Sequence, residues 1–193
     1  MTGPARSPGP GANEPTVESR VLYRGRILNV REDVVKMASG RLARREIVEH
    51  SDAVCLVPVD SNGNVLLVRQ YRKPIETFLL EAPAGMVERG EDLGAAALRE
   101  LREETGHTAR KLEPLAQFWL APGYDTEKMH SYLATDLERA PLSPDEDEDL
   151  QVVRVPLSGV EELVRHGEIQ DAKSIVSLLL ALQRLGAGRD PGG

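Results

Sequence analysis

The sequence predicts an α/β protein, helices packed on a mixed β-sheet, with a small β-rich region ahead of it. Short apolar runs bounded by turn residues recur through most of the chain. Two longer segments have the periodicity of helices, and one of them closes on a glycine. With 193 residues, 40% of them hydrophobic, the chain suffices for one compact domain plus a small appendage.

Residues 1–16 are rich in Pro and Gly, offer no periodic apolar face and are expected to be disordered. Residues 17–50 form an N-terminal β region with short strands at 21–23, 29–36 and 41–48 and a turn near Ser39-Gly40. Its weak apolar character calls for a partner surface, on its own domain or on another subunit. The larger, main domain is expected over residues 51–185. There, 54–59 reads as a buried strand, 60–63 as a turn and 65–68 as the returning strand of a hairpin. Further strands are expected at 112–120, 128–134 and 152–155. Helices are expected at 92–105 and 172–185. A shorter one should follow Ser158, with Glu161 at capping-box spacing. Residues 186–193 read as a flexible tail.

The formal net charge of −7 argues against a broad nucleic-acid surface. An anionic protein that handles phosphates must mask its charge locally with cations or arginines. The one cysteine, Cys55, excludes a disulfide within the chain and, inside Ala53-Val54-Cys55-Leu56-Val57, reads as a buried, inert thiol. The first residues lack the apolar core of a signal peptide, and the longest apolar run, 175–182, is too short to span a bilayer. A cytoplasmic protein is expected.

The helix over 92–105 carries the chemistry. Glu100, Glu103 and Glu104 stand at i, i+3 and i+4, so their side chains converge. Leu93, Ala97 and Leu101 form a separate apolar stripe. Glu103 and Glu104 lie toward the helix end whose dipole disfavours anions, and Arg99 and Arg102 offset part of that cost. A hard divalent cation would reverse it, because such ions prefer oxygen ligands. From clustering alone, a solvated acidic face is the plainer reading. The full pattern of Gly85, Glu91, Arg99-Glu100, Glu103-Glu104 and Gly106 speaks against it.

From Gly85 to His107 this pattern resembles the Nudix box, and the chain from about residue 17 to 185 resembles a Nudix hydrolase. The resemblance implies an α/β/α sandwich holding a loop–helix–loop motif. It makes Glu100, Glu103, Glu104 and a backbone carbonyl near Ala84 ligands of two or three Mg²⁺ ions, with Mn²⁺ as a substitute. Glu103 and Glu104 are thereby catalytic, as is Arg99, which orients the glutamates by ion pairing. Gly85 lets the loop approach the metals, and Glu91 buttresses it. His107 departs from the aliphatic residue usual in the family, at a position away from the metal ligands.

The resemblance narrows to the ADP-ribose pyrophosphatase group through Gln70-Tyr71-Arg72, Glu81-Ala82-Pro83-Ala84-Gly85, Ala121-Pro122-Gly123 and the acidic run 145–149. It implies hydrolysis of ADP-ribose to AMP and ribose 5-phosphate. Arg72 would engage phosphate through its donor fork, though it also reads as a surface residue at a strand end. Glu81 is either an exposed loop acid or a carboxylate near substrate or metal. Pro122 and Gly123 form a plain turn or a pocket wall. Tyr23 is the candidate adenine contact. Glu146 is the candidate catalytic base, with Glu148 as the competing assignment. A homodimer is implied, its N-terminal sheets contributing to both sites, with no nucleic-acid or membrane partner.

Two alternatives stand beside this reading. One is a Nudix pyrophosphatase for another nucleoside diphosphate derivative, such as a nucleotide sugar or flavin dinucleotide. The other is a non-catalytic ADP-ribose-binding regulator. His130 and His166 read as ordinary core or surface residues, and at least one of Phe118 and Trp119 is expected in the core.

Overall fold

The computed structural model describes residues 13–143 and 150–186. The chain divides into two units, Met1–Ser51 with Ala121–Glu127, and Asp52–Leu120 with Lys128–Gly193. The expectations for most of 1–16 and 186–193 lie outside the described residues; Thr16 already belongs to a strand, and Gly186 ends a helix.

The first unit is an antiparallel sheet of β1 (Thr16–Arg24), β2 (Leu28–Lys36) and β3 (Leu42–His50), in that order. Every residue of β1 is exposed, including Val17, Val21, Leu22 and Tyr23. Segment 121–127 joins this unit through main-chain bonds: the Val48 N–H donates to the Tyr124 carbonyl (2.8 Å) and the Thr126 N–H to the Val48 carbonyl (3.0 Å). Sequence adjacency alone had assigned that segment to the second unit.

The second unit contains β4 (Ala53–Pro58), β5 (Asn64–Arg72), β6 (Thr77–Glu81), β7 (Ala84–Met86), α1 (Leu93–Thr105), β8 (His107–Trp119), β9 (Lys128–Arg139), β10 (Leu150–Pro156), α2 (Val160–Arg165) and α3 (Ala172–Gly186). Its mixed sheet has the order β7-β4-β9-β8, with β4 and β9 parallel, and a second, antiparallel sheet runs β10-β5-β6. Alternation along the buried strand β4 sets the layers. Val54 and Leu56 pack with Ala96, Ala97 and Leu101 of α1, while Ala53, Cys55 and Val57 pack with Leu178 and Ala181 of α3. The two helices therefore cover opposite faces, which gives an α/β/α sandwich. Among the described residues, no helix is long and apolar enough to cross a membrane.

Ser158 does not open a capping box. It sits within a 3₁₀ turn, Leu157–Gly159, and α2 begins after Gly159 with no side-chain cap bond.

Cys55 is fully buried, and burial pushes its thiol from the ordinary 9.0 up to about 12. The native protein is expected to resist Ellman's reagent at pH 8 and to react fully in denaturant. The raised pKa contributes stability that is complete below about 9 and lost as pH rises toward about 12. Thermal melts of wild type and Cys55→Ala across that range should converge as pH rises.

Candidate active site

Helix α1 is fixed at both ends by its own residues. Asp92 caps the start, its carboxylate accepting the N–H groups of Gly94 (2.9 Å) and Ala95 (3.1 Å), a device worth about 1 kcal/mol. Gly106 ends it at φ 73°, where its N–H returns to the Arg102 carbonyl at 3.1 Å. Between these caps the apolar stripe settles on Ala96, Ala97 and Leu101, all fully buried. That turns the glutamates toward the strand β7.

Glu100 and Glu104 are only 7% and 5% exposed, so this is not a solvated acidic face. Glu104 Oε2 accepts the Ala84 N–H at 3.0 Å. Glu100 lies against Gly85 so closely that a Cβ there would fall 2.1 Å from its carboxyl carbon. Arg99 gathers the acids. Its Nη1 donates to Glu100 (2.8 Å) and Glu103 (2.9 Å), its Nε and Nη2 to Glu91 (2.9 and 3.1 Å), and Nη2 also to the Met86 carbonyl (3.0 Å). Glu91 in turn accepts the Glu88 N–H at 3.0 Å, closing the loop before the helix. The hydrogen bond from Arg99 holds the Glu91 carboxyl below its ordinary pKa. Among the described residues, no three acidic, His or Cys side chains stand pre-clustered as metal ligands. Arg99 supplies the charge that keeps these acids together.

A second cluster lies at the end of β6. Arg72 grips Glu81 with two donors, Nε at 2.7 Å and Nη2 at 2.6 Å. Lys173 donates to the same carboxylate and to Asp171 Oδ1 at 2.8 Å. Glu81 is 1% exposed. Burial alone would raise its pKa, but the bond from Arg72 and the charge of Lys173 outweigh that and lower it. Glu81 is thus no exposed loop acid: Arg72 and Lys173 both bind its carboxylate. Arg72 and Glu104 lie close enough for their charges to couple.

Tyr23, Pro122 and Gly123 belong to the first unit. Tyr23 is exposed, and the Ala121 carbonyl accepts the N–H groups of Tyr124 (3.1 Å) and Asp125 (2.9 Å), forming the turn that contains Pro122 and Gly123. Glu146 and Glu148 lie outside the described residues. His107 Nδ1 approaches the Thr105 carbonyl at 2.7 Å. His166 pairs with Glu162 on the surface. His130 is buried, with Nε2 2.8 Å from Asp52. Phe118 packs on the core, whereas Trp119 is exposed beneath the Lys128 ammonium.

Sequence reading passed over Asp171, Lys173 and Ser174. A signal was present: a lysine in the first turn of a helix opposes the dipole, while Asp171 three residues before Ser174 is an N-cap spacing.

Fold and site together define a loop–helix–loop glutamate motif on an α/β/α sandwich. Residues 49–179 match the NUDIX domain, and residues 14–48 match the nucleoside diphosphate sugar hydrolase N-terminal domain. The chain belongs to the Nudix hydrolase family. It is 37% identical to an ADP-ribose pyrophosphatase of Bacillus subtilis, covering 86% of this chain and 90% of that one. It is 34% identical to a methanol dehydrogenase activator of Bacillus methanolicus, again over 86% and 90%. A crystal structure of an ADP compounds hydrolase superposes with a TM-score of 0.83 at 28% identity, covering 91% of this chain and 95% of that one.

Proposed function

We propose that this chain hydrolyses the diphosphate of ADP-ribose, with AMP and ribose 5-phosphate as products and magnesium or manganese as the cofactor. The observation that carries this reading is the coupling of a glutamate helix to a phosphate-type donor. Arg72 holds its fork on Glu81 within electrostatic reach of Glu104. The names of the Bacillus subtilis relative and of the structural neighbour support the substrate class.

The donor set suits a hard divalent ion, because it is all oxygen, and the lack of a side chain at Gly85 lets the Glu100 carboxylate lie against the loop. Glu100, Glu103 and Glu104 would hold it, with the backbone near Ala84. When bound, such an ion supplies Lewis acidity toward the diphosphate and makes water a stronger nucleophile. Arg99 orients Glu100 and Glu103 through its Nη1, and Arg72 neutralises phosphate charge and fixes its direction. Glu146 orients the attacking water or accepts its proton. The intact glutamate set weighs against a non-catalytic regulator. The exposed apolar side chains of β1 support a homodimer in solution.

Product analysis with ADP-ribose tests the reading. AMP and ribose 5-phosphate are expected in equal amounts with Mg²⁺, none after chelation, and a dimer is expected by sedimentation of the same sample. Faster turnover of a nucleotide sugar or a flavin dinucleotide would replace the substrate, and metal-independent turnover would overturn the mechanism.

A further inference from the structure

We propose that Lys173 is a positioning residue for diphosphate binding: with Asp171 it fixes Glu81, and through Glu81 it aims the guanidinium of Arg72. This inference rests on the reading of Arg72 as a phosphate donor.

Lys173 is the second residue of α3, where a cation opposes the helix dipole. It is not turned outward into solvent, as an incidental surface lysine would be; its side chain is 13% exposed and its ammonium faces the carboxylate of Glu81. Asp171 sets that direction. Its Oδ1 caps the helix by accepting the Ser174 N–H at 3.0 Å, and the same oxygen accepts the Lys173 ammonium at 2.8 Å. The Ser174 hydroxyl accepts the Ala82 N–H at 2.7 Å, which ties this turn of helix to the residue after Glu81. Ala84 and Gly85 follow, where Glu104 and Glu100 rest.

The arrangement is poorly explained as a stability device, since buried ion pairs are often replaceable by packed apolar groups without loss. It is well explained as a constraint on Arg72. A carboxylate held by Lys173 on Oε2 presents both oxygens in one plane to Nε and Nη2 of Arg72. Nη1 of Arg72 carries none of these bonds, and the side chain is 38% exposed. Without Lys173 the Glu81 carboxylate keeps only its bonds to Arg72, the pair can turn together, and the arginine fork loses its fixed aim.

The test measures both turnover of ADP-ribose and calorimetric binding of α,β-methylene-ADP, which needs no turnover. Lys173→Met is expected to raise KM and weaken analogue binding about tenfold, the size of one lost charge-assisted hydrogen bond. Its kcat should change by less than about threefold. Lys173→Arg should recover most of the binding. Combining Lys173→Met with Arg72→Ala should add nothing to the loss in Arg72→Ala alone. Leu178→Val, in the buried face of the same helix, serves as the folding control: it should lower Tm and leave KM unchanged. If Lys173→Met lowers Tm with no change in binding, or its effect adds to that of Arg72→Ala, the proposal is overturned. Analogue binding without ADP-ribose hydrolysis would refute the substrate assignment while leaving the Lys173 test intact. No analogue binding by the wild type would overturn both.

Discussion

Glu104→Gln is expected to lower kcat about a thousandfold, since a ligand carboxylate supports several kcal/mol of charge stabilisation and each 1.36 kcal/mol is a factor of ten. The fold should survive, because glutamine keeps the shape and an acceptor for the Ala84 N–H that now meets Glu104 at 3.0 Å. Glu103→Gln should behave alike in kinetics and be even easier on stability. Glu103 sits near the C-terminal end of α1, where removing an anion relieves an unfavourable dipole interaction. The bond it accepts from Arg99 Nη1 loses its charge assistance, while the same nitrogen retains Glu100. Activity and Tm are thus expected to move apart, as when a site is kept for chemistry at some expense to the helix that bears it. Steady-state kinetics, thermal melts and Mn²⁺ titration on the same samples check this. Glu146→Gln supplies the contrast: it should bind metal and substrate normally and lose rate. A Glu104→Gln enzyme within tenfold of wild-type kcat would remove Glu104 from the chemistry, and equal metal loss in Glu146→Gln would merge the two roles.

How much of this was legible in the sequence depends on how local each determinant is. Helix α1 was legible because its signals are local: the expected span 92–105 closes on Gly106 as the structure does, and the observed helix starts one residue later, with Asp92 as its cap. The strands β4 and β5 and the turn between them were legible for the same reason, the turn being held by Asp60 accepting the Asn62 and Asn64 N–H groups at 2.9 Å. The expected hairpin was not: beyond the Val59–Val65 bridge the two strands part into different sheets, β4 pairing with β7 and β9 and β5 with β6 and β10. The strands β6 and β7 were not anticipated. They are short, separated by Ala82-Pro83, and exist through pairing with β5 and β4 rather than through any period of their own. The first residues of β8, from His107 to Lys111, were missed because charged side chains mask a strand secured by its register with β9. In the site, the glutamates followed from helical spacing, whereas Lys173 reaches Glu81 across 92 positions of sequence. No window of sequence contains both. A cation in the wrong half of a helix, beside the N-cap spacing of Asp171 and Ser174, was the trace left in the sequence.

Gly85→Ala is expected to cut kcat/KM about a hundredfold, the loss that a displacement of about 1 Å at a reacting centre carries. The cause is space rather than backbone conformation. A Cβ at this position would lie 2.1 Å from the carboxyl carbon and Oε1 of Glu100 and 2.3 Å from Oε2. No atom pair tolerates that, so either the strand or the carboxylate must move. Glu100 has little freedom to move alone, being 7% exposed and bonded to Arg99 at 2.8 Å. The strand is held too, through the pairing of Gly85 with Val54 and the Ala84 N–H bond to Glu104. Relief therefore spreads to both ligand glutamates, and overpacking of this kind costs about 1–3 kcal/mol in stability. The order of effects is diagnostic: weakened Mn²⁺ affinity and lost rate should exceed what the fall in Tm accounts for. Gly90→Ala is the comparison, because Gly90 has a positive φ of 84° but no atom within 4 Å of the added methyl. It should lose stability with little change in metal affinity. If Gly85→Ala kept wild-type metal affinity and rate, the close packing of glycine on Glu100 would have no part in building the site.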